Sequence, residues 1–90
     1  MLCFAFVVTG KVQGVFFRKY TYKKAVELGL TGWVRNYEDG SVRGEVCGSD
    51  EQLQSFERFL HVGSPKAKVT TVSWKQIAQK EFSSFKIVRE

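Results

Sequence analysis

Ninety residues, 43% of them hydrophobic and including eight Phe and two Trp, are enough for one packed domain and too few for two. The formal charge of +5 favours anionic partners, yet the 14 Lys and Arg are scattered without a basic block, which argues against a nucleic-acid-binding arm. The opening "MLCFAFVV" carries no basic leader and is too short to span a bilayer, so no membrane association is expected and the chain reads as cytoplasmic.

In chain order, Leu2–Thr9 is apolar, β-branched and aromatic, and predicts a buried first strand. A turn bounded by Gly10 and Gly14 follows. Phe17, Thr21, Ala25 and Leu28 then recur at three- to four-residue intervals, one face of a helix stopped by Gly29. Leu30–Tyr37 and Ser41–Gly48 read as two strands joined by Glu38–Gly40, where Asp-Gly signals a hairpin. Ser49 and Gln52 have capping-box spacing with acids between them, and open a helix whose apolar side carries Leu53, Phe56, Phe59 and Leu60. Gly63–Pro65 ends it, Lys68–Ile77 is a fourth strand, and Phe85–Val88 is a short last one.

The order β-α-β-β-α-β with a short terminal strand predicts an α+β ferredoxin-like sandwich, an antiparallel sheet with two helices on one face. A single domain over residues 1–90, monomeric at this size, is the expectation. Fold alone leaves function open.

Several chemistries lack their parts. His61 is the one histidine and falls near the end of the second helix, so no hydrolase triad and no zinc cluster is available. "TGKV" lacks both the hydroxyl residue after Lys11 and the earlier glycine of a nucleotide-binding loop. Cys3 and Cys47 stand far apart outside any CxxC arrangement; two buried thiols in a reducing compartment are the preferred reading, with one disulfide between them as the alternative. No metal and no cofactor is expected.

Two features remain. Taken singly, the glycine turn is a strand-to-helix connection and Arg18 a surface cation; taken together they make a cradle of exposed peptide N–H groups with a planar guanidinium suited to two hydrogen bonds with one phosphate. Asn36, at a strand end before the hairpin turn, is read either as a residue that helps to form that turn or as an amide able to donate and accept at once and so orient a water.

The segments "GKVQGVFFR", "LGLTGWVRN", "DGSV" and "GSPKAKV", in that order across the whole chain, resemble acylphosphatase. The resemblance implies the ferredoxin-like fold and metal-free hydrolysis of a small-molecule acyl phosphate to a carboxylate and inorganic phosphate, the latter also a competitive ligand. It implies that Arg18 grips the substrate phosphate, that backbone groups of Gln13, Gly14, Val15, Phe16 and Phe17 form the cradle, and that Asn36 positions the attacking water. Tyr37 departs from the pattern, standing where many members have Thr, and Phe16 occupies a variable loop position. The alternative is a ferredoxin-like binding module. An inactive acylphosphatase-like interaction domain is one form of it; an RNA-recognition domain with Phe4 and Phe6 as base platforms is another, disfavoured because Ser41–Gly48 has no aromatic residue.

Overall fold

The computed structural model describes residues 1–89, so the last position of the expected domain, Glu90, lies outside the described residues. Seven elements follow the expected order: β1 (Leu2–Lys11), α1 (Phe17–Glu27), β2 (Thr31–Asn36), β3 (Val42–Gly48), α2 (Asp50–Val62), β4 (Lys68–Ile77) and β5 (Phe85–Val88). They form one five-stranded sheet in the order β4-β1-β3-β2-β5. β1 pairs antiparallel with both β3 and β4, and β2 pairs antiparallel with β3. The terminal strand β5 joins β2 in parallel, which makes the sheet mixed. The architecture is the ferredoxin-like α+β sandwich.

Side chains alternate across a strand, so β1 turns Phe4, Phe6 and Val8 to one face, and β2 and β3 turn Val34, Val42 and Val46 to the same face. Both helices cover that face. Phe56 of α2 lies within aromatic contact of Phe6, Trp74 and Phe85, and Phe17 of α1 meets Phe59 of α2. The buried side chains make one cluster that includes Phe6, Phe17, Val34, Leu53, Phe56 and Leu60. Phe4 stacks on Trp74 at 4.6 Å within this layer. Phe4 and Phe6 are therefore core residues beneath the helices, and the base-stacking platform of an RNA-recognition domain is absent from β1.

The cysteines correct an expectation. Cys3 and Cys47 face one another across β1 and β3 and are joined as a disulfide, 44 residues apart in sequence. Sequence separation hid a pairing that strand register makes, since directly opposite residues project to the same side of neighbouring strands. The link sits on the sheet face away from the helices, under the β4–β5 connection, where the Lys80 N–H approaches the Cys3 sulfur at 3.4 Å and Lys80 Nζ reaches Glu45 at 2.9 Å. No helix among the described residues is long and apolar enough to cross a membrane.

Candidate active site

The site begins with a fault in the β1–β4 ladder. The register shifts between Thr9, opposite Thr71, and Gly10, opposite Val69, so Thr70 of β4 is the extra residue of a bulge that kinks the ladder before it ends at Lys11. Gly10 is required there, because a Cβ would stand 2.2 Å from the Lys68 carbonyl oxygen and φ is +119°. Gly14 is required for a different reason: a Cβ would meet nothing within 4 Å, but φ is +75°.

Between these glycines and α1 the side chains alternate in their fates. Val15 and Phe17 are buried and plug the segment into the core, whereas Phe16 is 72% exposed. Phe16 is also the helix N-cap and sits in the left-handed region at φ 62°, ψ 25°, an uncommon place for an aromatic residue. It supplies no side-chain cap, and the first turn of α1 holds no acid. The N–H groups of Gly14 through Lys19 meet no backbone acceptor among the described residues, as expected for the opening turn of a helix. A positive helix end is thus left unneutralised.

Asn36 closes the arrangement from the other side. As the last residue of β2 it shares the helix-facing side with Val34, so its amide points towards the space under the start of α1. Its Oδ1 is buried and has no hydrogen-bond partner among the described residues. A buried acceptor left unpaired costs on the order of 1–3 kcal/mol, which a bound donor would recover. Gly14, Phe16, Phe17, Arg18 and Asn36 all line one cleft of about 400 Å³, completed by Val12, Lys19, Ile87 and Arg89. Arg18 is half-buried in it, and among the described residues no carboxylate engages its guanidinium.

Two of the expected cradle residues stand outside the cleft wall. The Val15 side chain is in the core. Gln13 turns its amide to the β2–β3 hairpin, where Nε2 donates to the carbonyls of Tyr37 at 2.7 Å and Ser41 at 3.0 Å. The side chain of Gln13 therefore ties the loop to the hairpin that carries Asn36, a role its sequence position did not announce. On the other flank, Ser64 Oγ donates to the Val15 carbonyl at 2.7 Å. Lys19, Ile87 and Arg89 were also not foreseen; position in the fold, not residue type, brings them to the cleft.

The hairpin itself is saturated with contacts. Asp39 accepts from the backbone and hydroxyl of Ser41 at 2.9 and 2.6 Å and from Arg43 at 2.6 Å. Those hydrogen bonds, Ser41 first, hold its carboxyl at about 2, below the ordinary 3.8. The Tyr37 ring lies between the guanidiniums of Arg35 and Arg43, 4.8 and 4.6 Å from its centre. Tyr37 thus has a packing role on the sheet face opposite Asn36. His61 is exposed on α2, 4.0 Å from Glu57, and is no part of the cleft.

Comparison with known proteins bears on the family and the fold. The acylphosphatase family model matches residues 4–87. The chain is 42% identical over 85 residues to an acylphosphatase of Coxiella burnetii (strain RSA 493 / Nine Mile phase I), covering 94% of this chain and 90% of that one. It is 43% identical over 86 residues to acylphosphatase-1 of Xenopus laevis, covering 91% and 87%. The crystal structure of an acylphosphatase from Bacillus subtilis superposes with a TM-score of 0.96 at 38% identity, over 99% of this chain and all of that one (100%). Family model, relatives and superposed structure coincide over nearly the whole chain, and the chain belongs to the acylphosphatase family of acyl-phosphate hydrolases.

Proposed function

We propose that this family member hydrolyses acyl phosphates without a metal, with Arg18 and the amides of Gly14 to Phe17 holding the phosphate and Asn36 holding the attacking water. The observation that carries the reading is the convergence of Arg18, the uncapped N-terminus of α1 and the unpartnered Asn36 Oδ1 on one cleft.

The chemistry asks for little else. The leaving group is a carboxylate whose conjugate acid has a pKa near ~4, so it departs as an anion at neutral pH without a general acid. Phosphoryl transfer passes through a loose transition state, which relaxes the demand for a strong base. The water donates one hydrogen bond to Asn36 Oδ1, which leaves an oxygen lone pair free to be directed at phosphorus. Its oxygen bonds to phosphorus as the bond to the acyl oxygen breaks. The electron pair leaves on the carboxylate, and the proton passes to an oxygen of the substrate's own phosphate. Arg18 and the amides stabilise the charge shifting among the equatorial oxygens, while the fixed water replaces a random encounter with an oriented one.

The test is hydrolysis of an aromatic acyl phosphate in excess chelator, with inorganic phosphate as competitor. Turnover unaffected by chelator and inhibited competitively by phosphate is expected. Turnover that chelator abolishes and a divalent cation restores would sink the metal-free mechanism. An inert protein would return the chain to the class of interaction domains.

A further inference from the structure

We propose that Ser64 is a positioning residue for the phosphate cradle, fixing the direction in which the Phe16 N–H points; this rests on the reading of the cleft as a phosphate site. Ser64 is 2% exposed, lies in the turn after α2, and is 49 positions from Val15 in sequence, yet its hydroxyl donates to the Val15 carbonyl at 2.7 Å.

The consequence follows from the peptide plane. No peptide bond in the described chain is cis, so the Val15 C=O and the Phe16 N–H point in opposite directions. Ser64 holds the carbonyl on the buried side. The N–H of Phe16 is then directed away from the core, to the side where Phe16 lines the cleft. Without that anchor, a coupled rotation of the Val15 ψ and the Phe16 φ turns the plane over. Phe16, held at φ 62°, has a conformational reason to move. A turned plane presents a carbonyl oxygen, in place of a donor, to a dianion.

Ser64 is itself rigidly placed. Gly63 ends α2 with its N–H on the Phe59 carbonyl at 2.7 Å, and the Ser64 carbonyl accepts from Ala67 N–H at 3.0 Å. A Cβ on Gly63 would stand 2.6 Å from the Phe17 ring, so this turn is packed directly on the start of α1. The "GSP" stretch, which reads as a helix stop, also acts as a buttress for the cradle.

The experiment compares wild type, Ser64→Ala, Ser64→Cys and Ser64→Thr by the inhibition constant of inorganic phosphate, by kcat and KM for an aromatic acyl phosphate, and by amide NMR during phosphate titration. Ser64→Ala should raise the phosphate inhibition constant about tenfold, the loss of one charge-assisted hydrogen bond. It should also abolish the phosphate-induced shift of the Phe16 amide while that of Gly14 persists. Ser64→Thr, which keeps the hydroxyl, should restore both. Should Ser64→Ala not fold, Ser64→Cys carries the test, because a thiol of similar size is a weak donor. A wild-type Phe16 amide that moves with phosphate, and moves equally in a folded Ser64→Ala or Ser64→Cys with an unchanged inhibition constant, would overturn the role of Ser64 and leave the site standing. A wild-type cradle indifferent to phosphate would overturn the site reading and this proposal with it.

Discussion

The two helices begin in opposite ways. α2 opens with a capping box: Ser49 Oγ accepts from the Gln52 N–H at 3.3 Å, the Gln52 side chain accepts from the Ser49 N–H at 3.0 Å, and Asp50 and Glu51 stand in the first turn. α1 begins at an aromatic residue in the left-handed region, without a side-chain cap and without an acid. Both helices pack on the same face of the same sheet, so folding alone does not require the difference. A capped terminus satisfies its own amides and repels anions; an open one keeps its donors for a ligand. The helix that is worse as a helix is the one we propose to hold the phosphate.

The sharpest way to break the comparison is to remove the cation from the open terminus. Arg18→Ala should lower turnover about a thousandfold or more and weaken competitive inhibition by phosphate, because one bidentate, charge-assisted contact serves ground state and transition state alike. Steady-state kinetics with phosphate competition checks this, and an active Arg18→Ala would detach the cleft from the reaction. Asn36→Ala should cost on the order of a hundred- to a thousandfold in kcat. Its phosphate inhibition constant should stay within about twofold of wild type, since in the proposed mechanism the amide touches water and not the dianion. Equal losses in turnover and phosphate binding would take away its role as water holder.

How far the site was legible follows from what kind of signal each residue leaves. Arg18 and Asn36 stand in contiguous motifs, so the sequence names them. The Ser49–Gln52 box and the hairpin at Asp39-Gly40 are local rules written in adjacent residues, and they hold in the structure. Gln13 and Ser64 are different. Each uses a neutral side chain to hold a carbonyl made adjacent by tertiary packing, 24 and 28 positions away for Gln13 and 49 for Ser64. Nothing local marks such a contact. The Cys3–Cys47 pair failed for the same reason, since it depends on the β1–β3 register and not on spacing. Phe16 is named for its backbone by the resemblance, yet its φ of 62° is a conformation that an aromatic side chain argues against. Fold class survives because it rests on periodicity and turns; the supports of a site rest on contacts that exist only once the chain has folded.

Making the two helix starts alike sharpens the comparison at intermediate cost. Lys19 is the third residue of α1 and lines the cleft. Lys19→Glu gives the first turn of α1 an acid, as Asp50 and Glu51 give that of α2, and should stabilise the fold by ~0.3–1 kcal/mol through the helix dipole. The same change should raise the phosphate inhibition constant roughly tenfold by charge reversal beside the dianion, an effect that shrinks with added salt. Opposite signs in stability and affinity are the expected signature, read by chemical denaturation and by inhibition at two ionic strengths. Ser49→Ala is the matched control: a loss of ~1 kcal/mol in stability with phosphate inhibition unchanged. Phosphate affinity falling with Ser49→Ala would mean that the two termini are not independent.

The smallest effect concerns the third polar turn, the hairpin, which resembles the α2 terminus in holding its acid with its own neighbours: Asp39 accepts from Ser41 and Arg43. The folded carboxyl sits at about 2 against an ordinary 3.8. The lowered value means that the native state prefers the ionised form. The contribution is therefore complete above 3.8 and fades as pH falls towards 2. Asp39→Asn should lower the melting temperature slightly at neutral pH, slightly because the carboxylate is exposed to water and screened. The gap between variant and wild type should close as pH is taken from about 4 to about 2, since protonation then does to wild type what the substitution does permanently. A gap that persists at pH 2 would show that shape, not charge, makes Asp39 matter. A gap that closes would place the hairpin with the capped helix, as structure held by its own ions and hydrogen bonds, and leave the cradle as the one turn of the three whose donors await a partner from solution.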